Sequence, residues 1–164
     1  MIRKRSGGNS AARQREPEII ENCQRVVRLE LRSLQRFFLR VTRQLRLPRN
    51  CLAIRLISDS EMARLNRAYR GKKGSTDVLS FPTERRRKPL RLARARLRNS
   101  YLGDIAISPA TARRNARAFG RPLPQELQIL ILHGVLHLLG YDHETDRGEM
   151  ERRETRLRRR LGLA

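Results

Sequence analysis

From Leu127 to Leu139 the chain is apolar at almost every position: Leu127-Gln128-Ile129-Leu130-Ile131-Leu132-His133-Gly134-Val135-Leu136-His137-Leu138-Leu139. A helix that is apolar on nearly all sides has no face to show water, so it belongs in the middle of a domain. The rest of the chain must then supply layers to cover it. Pro124 suits the first helical position, where its missing N–H costs nothing. Gly140 suits the end, because glycine takes the left-handed conformation that closes helices.

Every histidine of the chain lies in this segment or just beyond its end, at 133, 137 and 143. On a helix, His133 and His137 share one face with Cβ atoms about 6 Å apart. His143 would sit about 240° round from His137 on an unbroken helix. The turn expected at Gly140 lets Tyr141-Asp142-His143 fold back over the first two rings. Three imidazoles with a fourth position left to water form a catalytic zinc arrangement. The plain alternative, core histidines satisfied by hydrogen bonds, suits one such residue better than three. Cys23 and Cys51 show no paired spacing and are not recruited. The His-x3-His-x2-Gly-x2-His spacing also occurs in zinc proteases, where a glutamate general base follows the first histidine. Here that position is Gly134, which argues for a different substrate.

Charge indicates which substrate. The net charge is +22, with 38 Lys and Arg against 16 Asp and Glu. Such an excess argues for a polyanionic partner, and nucleic acid is the obvious one. Part of the excess reads as ordinary solvated helix surface. Aromatics are 4% and tryptophan is absent, so backbone and shape contacts are expected to outweigh base stacking. No stretch approaches a membrane span. Met1 to Arg5 is not followed by the apolar core of a signal peptide, and residues 1–15 lack the apolar face of a transit peptide. Two unpaired-looking cysteines fit a reducing cytoplasm.

The chain reads as a basic N-terminal arm over 1–17, with the composition of a flexible segment, and a single domain over 18–164. Val26–Leu31 alternates as a strand. Ser33 is expected to cap a helix with Leu34, Phe37, Phe38, Val41 and Leu45 inward, stopped by Pro48. Cys51–Ile57 is a second strand. Ser58 and Glu61 make a capping box for a helix with Met62, Leu65 and Tyr69 inward and Arg70 at its end. Gly71 to Gly74 is a basic turn. Thr76–Phe81 is a third strand, and a basic insertion follows over 84–98. Tyr101–Ile107 is a fourth strand, with Gly103 at a bulge or close approach. Ser108-Pro109 starts a helix to about Phe119, the histidine helix comes next, and a last helix places Met150, Leu157 and Leu161 on one side. The fold class is a mixed α/β (α+β) domain: about four strands covered by helices, with a metal site at the end of a buried helix.

Four segments resemble one family, the YbeY-type endoribonucleases or ribosomal RNA maturation factors. They are His133–His143; Leu65-Asn66-Arg67-Ala68-Tyr69-Arg70-Gly71-Lys72; Thr76–Pro82; and Leu102–Ser108. The likeness spans roughly residues 25 to 162. It implies a mixed sheet with the metal in a cleft, and zinc ligands at His133, His137 and His143. It also implies a functional arginine at Arg70, whose planar fork suits two phosphate oxygens. The activity implied is zinc-dependent, single-strand-specific endoribonuclease action. The implied setting is maturation of the small-subunit ribosomal RNA 3′ end and ribosome quality control, with the small subunit as partner.

Lys72 and Lys73 are candidates to hold RNA backbone. Asp142 is a candidate to orient a ligand histidine, and Asp104 to hold a turn. A zinc ion would bring the pKa of water toward ~7, and two routes stay open, one leaving a terminal phosphate and one a cyclic phosphate. Two other functions compete: a non-catalytic ribosome-binding factor with structural zinc, and a metal hydrolase of peptides or small molecules. Gly134 and the charge weigh against the second.

Overall fold

A computed structural model describes residues 19–48, 50–83, 101–143 and 146–163. The expected basic arm (1–17) and basic insertion (84–98) lie outside these residues. Among the described residues nine elements follow one another: β1 Ile20–Asn22, α1 Leu31–Leu45, β2 Leu52–Leu56, α2 Asp59–Arg70, β3 Val78–Pro82, β4 Gly103–Ile107, α3 Pro109–Ala118, α4 Leu123–Leu138 and α5 Glu149–Leu161. The strands form one mixed sheet in the order β1-β2-β4-β3. β1 and β4 run parallel to β2, and β3 runs antiparallel to β4 at the edge.

The pairing register sorts side chains onto two faces. Val78 and Ser80 lie opposite Ile107 and Ile105, while Leu79 and Phe81 lie opposite Ala106 and Asp104. The first set faces α4: the Ser80 hydroxyl donates to the Gly134 carbonyl at 3.3 Å. The main core on that side joins Ile54, Leu56, Ile105 and Ile107 of the sheet to α1, α4 and α5. On the second face, Ile57, Leu79 and Ala106 pack with Met62 of α2, and Leu65 and Phe81 border that cluster. α2 and α4 are therefore in opposite layers.

α4 is the buried element its sequence demands. Ten of its sixteen residues are buried, Ile131, Leu132, Val135 and Leu136 completely. Its first residue is Leu123, one before the expected start, so Pro124 is the second helical residue, still within the turn where an N–H has no helical partner. Gly103 is the close approach expected of it. At φ +141°, a Cβ there would collide with the Phe81 carbonyl oxygen.

Three expectations need correction. The first strand is Ile20–Asn22, not Val26–Leu31. Ile20 is fully buried and pairs with Ile54, whereas Val26 is 69% exposed. The Gln24 side chain ties the Val26 segment into a turn by accepting from the Val27 N–H at 2.8 Å and donating to its carbonyl at 2.9 Å. Alternation alone did not distinguish that turn from a strand. The α1 helix starts two residues before Ser33, and Glu30 at its cap makes no side-chain cap bond. Burial of Leu34, Phe37, Phe38 and Val41 fixes α1 without one. Finally, Tyr69 points outward at 69% exposure, because Met62 and Asn66 are the buried positions of α2.

Candidate metal centre

The last turns of α4 place His133 and His137 on one face, with their Nε2 atoms 3.1 Å apart. The helix then closes through glycine. Gly140 has φ +87°, its N–H donates to the His137 carbonyl at 2.9 Å, and the Tyr141 N–H donates to the Leu136 carbonyl at 3.1 Å. This paired closure reverses the chain and brings His143 back, its ring centroid 5.7 Å from that of His133 and 5.3 Å from that of His137.

One ligand nitrogen from each ring lies within 4.8 Å of the other two. A tetrahedral zinc with nitrogen ligands at about 2 Å holds them about 3.3 Å apart. The cluster therefore fits a single ion after small ring adjustments. His133 and His137 are half-buried and His143 is exposed, so the group opens to solvent on one side. Neither cysteine joins it, and neither is in a disulfide; Cys23 is exposed and Cys51 buried.

The chemistry of the donors suits a cation. Burial, and behind it the neighbouring His133 and His143, hold His137 down to about 4 from the usual 6.5, against the pull of nearby Asp142 and Glu154. Its ring is therefore neutral at physiological pH, with a lone pair to offer. His133 has its other nitrogen engaged: Nδ1 lies 3.1 Å from Oε2 of Glu154, which leaves Nε2 for the centre. Glu154 is 8% exposed and accepts from the Arg158 guanidinium through its other oxygen. Burial alone would raise this carboxyl, but the hydrogen bond and charge of His133 and the charge of Arg158 prevail and lower it. α5 is set in place by Asp146, whose carboxylate accepts from the N–H groups of Gly148, Glu149 and Met150 at 2.8–3.0 Å.

The sequence pattern offers Asp142 to orient a ligand histidine; the carboxylate on His133 is Glu154. The signal was present: Met150, Glu154, Leu157 and Leu161 share one buried stripe of α5, so a carboxylate faces inward with three apolar residues. Gly134 also gains a reason. A Cβ there would stand 2.9 Å from Cγ2 of Ile105, so the glutamate of a zinc protease has no room between α4 and β4.

The structure brings the three histidines together, with Asp142 beside them, and places Arg70, Lys72, Lys73 and Asp104 on other elements. Arg70 ends α2 in the opposite layer and is exposed, as are Lys72 and Lys73 after it. Gly71 closes α2 at φ +66° with its N–H on the Arg67 carbonyl. Asp104 accepts from the Tyr101 hydroxyl at 2.6 Å, a local tie across the strand end.

The fold is shared with a solution structure of TM1509 from Thermotoga maritima. The TM-score is 0.55 at 24% identity, covering 87% of this chain and 88% of that one. The family follows from sequence. The endoribonuclease YbeY family model matches residues 14–162, and the chain belongs to that family. Proteins named endoribonuclease YbeY from Solibacter usitatus, Nautilia profundicola and Helicobacter pylori are 49%, 44% and 38% identical to it. The matches cover 66%, 66% and 71% of this chain, and 64%, 70% and 75% of those proteins.

Proposed function

We propose that the chain is a zinc-dependent endoribonuclease that cuts single-stranded RNA in small-subunit ribosomal RNA 3′-end maturation and ribosome quality control. Family membership supports the RNA-cleaving hydrolase class. The observation that carries the metal dependence is the three-imidazole group, whose ligand nitrogens lie within 4.8 Å of one another with one side open.

His133, His137 and His143 would hold the ion, which when bound supplies Lewis acidity at a phosphoryl oxygen. Glu154 keeps His133 in the required orientation, and burial keeps His137 unprotonated. His143 stands at the exposed rim, where a bulky polymer can approach. Arg70 is the candidate to bind the charge that builds on phosphate oxygens, through its two-pronged guanidinium. Lys72 and Lys73 are candidates to hold the backbone on either side of the cut.

The net charge of +22 supports a polyanionic partner, with the ribosomal small subunit as its source. Among the described residues no helix is long and apolar enough to cross a membrane. A cytoplasmic setting and one domain over 18–164 belong to the same reading.

The test is RNA cleavage by nuclease-free purified protein, with zinc and after chelation, with the product ends determined. Cleavage that stops on chelation and returns with zinc supports the reading. No cleavage in either condition removes it and leaves a ribosome-binding factor with a structural ion.

A further inference from the structure

Tyr69 is large, aromatic and 69% exposed, yet its ring is not loose. It meets the Phe81 ring edge-on, with centroids 4.9 Å apart and planes at 68°. Phe81 itself is fixed on β3, bordering the small core under α2. The Tyr69 ring is thus braced on one side by Phe81, while most of its surface faces water.

Its position relative to the histidines follows from β3. Ser80 and Phe81 are consecutive, so their side chains leave opposite faces of the strand. The Ser80 hydroxyl reaches the carbonyl of Gly134, the residue after His133, while the Phe81 ring reaches Tyr69. Gly103, which pairs with Pro82, has its missing Cβ 3.0 Å from Leu138, the residue after His137. The histidine turn of α4 and the Tyr69 ring therefore flank the same two or three residues of one strand. Among the described residues that strand is the sheet edge, and it stands between the Tyr69 ring and the turn of α4 that carries His133 and His137. Arg70, Lys72 and Lys73 adjoin the ring along the chain.

A braced, exposed ring beside cationic side chains is what single-stranded nucleic acid needs: a π-face for a base and positive charge for the adjoining phosphates. Duplex RNA keeps its bases stacked inside and cannot offer one. We propose that Tyr69 is a positioning residue on which an unpaired base of the RNA substrate stacks while the backbone crosses the β3 edge toward the histidine centre. This deepens the proposed function and rests on it. A single platform is compatible with a chain of three tyrosines, four phenylalanines and no tryptophan.

The test uses the zinc-loaded protein with Tyr69→Ala, Tyr69→Leu and Tyr69→Phe. Each is checked for fold and zinc content, then measured for KM and kcat on a single-stranded oligoribonucleotide. Binding is also measured on the same strand with abasic positions. The expected result is a KM raised about 5- to 100-fold in the alanine and leucine variants, near-normal values for Tyr69→Phe, and no difference among the proteins on the abasic strand. Leucine keeps the apolar contact with Phe81 without a π-face, so it tests stacking even where alanine disturbs the turn. The proposal is overturned if Tyr69→Leu matches wild type on intact RNA, or if it binds the abasic strand as much more weakly as it binds the intact one. If wild type itself neither binds nor cuts RNA, the nuclease reading falls as well; if wild type cuts and Tyr69→Leu cuts equally well, only the stacking role falls.

Discussion

The histidine end of α4 and the cationic end of α2 are held in opposite ways. Around His133 and His137 nearly everything has a fixed neighbour. Gly134 lies against Ile105, Glu154 holds His133, and Asp146 sets α5 so that Glu154 can reach it. At the end of α2 the cations lie at the surface: Arg70 is exposed on the last turn, and Lys72 and Lys73 are exposed beyond the Gly71 closure. The difference matches two kinds of ligand. A small ion needs donors placed in advance to within a fraction of an ångström. A polymer backbone presents repeating charges and tolerates side chains that adjust to it.

The comparison breaks most severely at Gly134. Gly134→Ala drives a methyl into Ile105, and overpacking of this kind costs about 1–3 kcal/mol. Thermal unfolding should show a lowered Tm, whereas Lys72→Ala should leave Tm in place. An unchanged Tm for Gly134→Ala would mean that the α4–β4 contact is slack.

Glu154→Gln is expected to weaken zinc binding about 10- to 100-fold with the fold retained, because His133 loses the carboxylate that orients it. A competition titration against a chelator of known affinity measures this. Equal affinity in the variant would leave His133 positioned by α4 alone.

Smaller effects belong to the exposed end. Lys72→Ala and Lys73→Ala should each lower the salt dependence of RNA binding by roughly one phosphate contact, uniformly across RNA sequences. A slope that does not change places the backbone elsewhere.

The mildest effect concerns Asp59, which joins α2 to α3. Burial alone would raise its carboxyl, but hydrogen bonds from Ser108, Thr111 and Arg114 hold it at about 2, below the usual 3.8. Its ionised form is favoured by folding, so its contribution is complete above about pH 4 and disappears as pH falls toward 2. Asp59→Asn should therefore lose stability at neutral pH and converge with wild type near pH 2. Denaturation curves that stay parallel down to pH 2 would contradict this.

What was legible in the sequence follows the same division. The central helix, its glycine closure and the three histidines were readable because each rests on local spacing within eleven residues. The strand at Ile20–Asn22 was not readable, because three residues carry too little pattern and only the pairing with β2 defines them. Glu154 lay eleven residues beyond His143 on another helix, so its contact with His133 is a product of packing. Helical period puts Tyr69 inward, but α2 packs on the sheet through Met62 and Leu65 and leaves the ring outside.

The most direct test combines metal content with RNA cleavage for wild type, His133→Ala and Arg70→Glu. About one zinc per wild-type chain is expected, together with cleavage of RNA. His133→Ala should lose both, and Arg70→Glu should keep zinc and lose cleavage. Zinc bound in wild type but the same cleavage in all three proteins would contradict this, and would make the histidine centre a structural one.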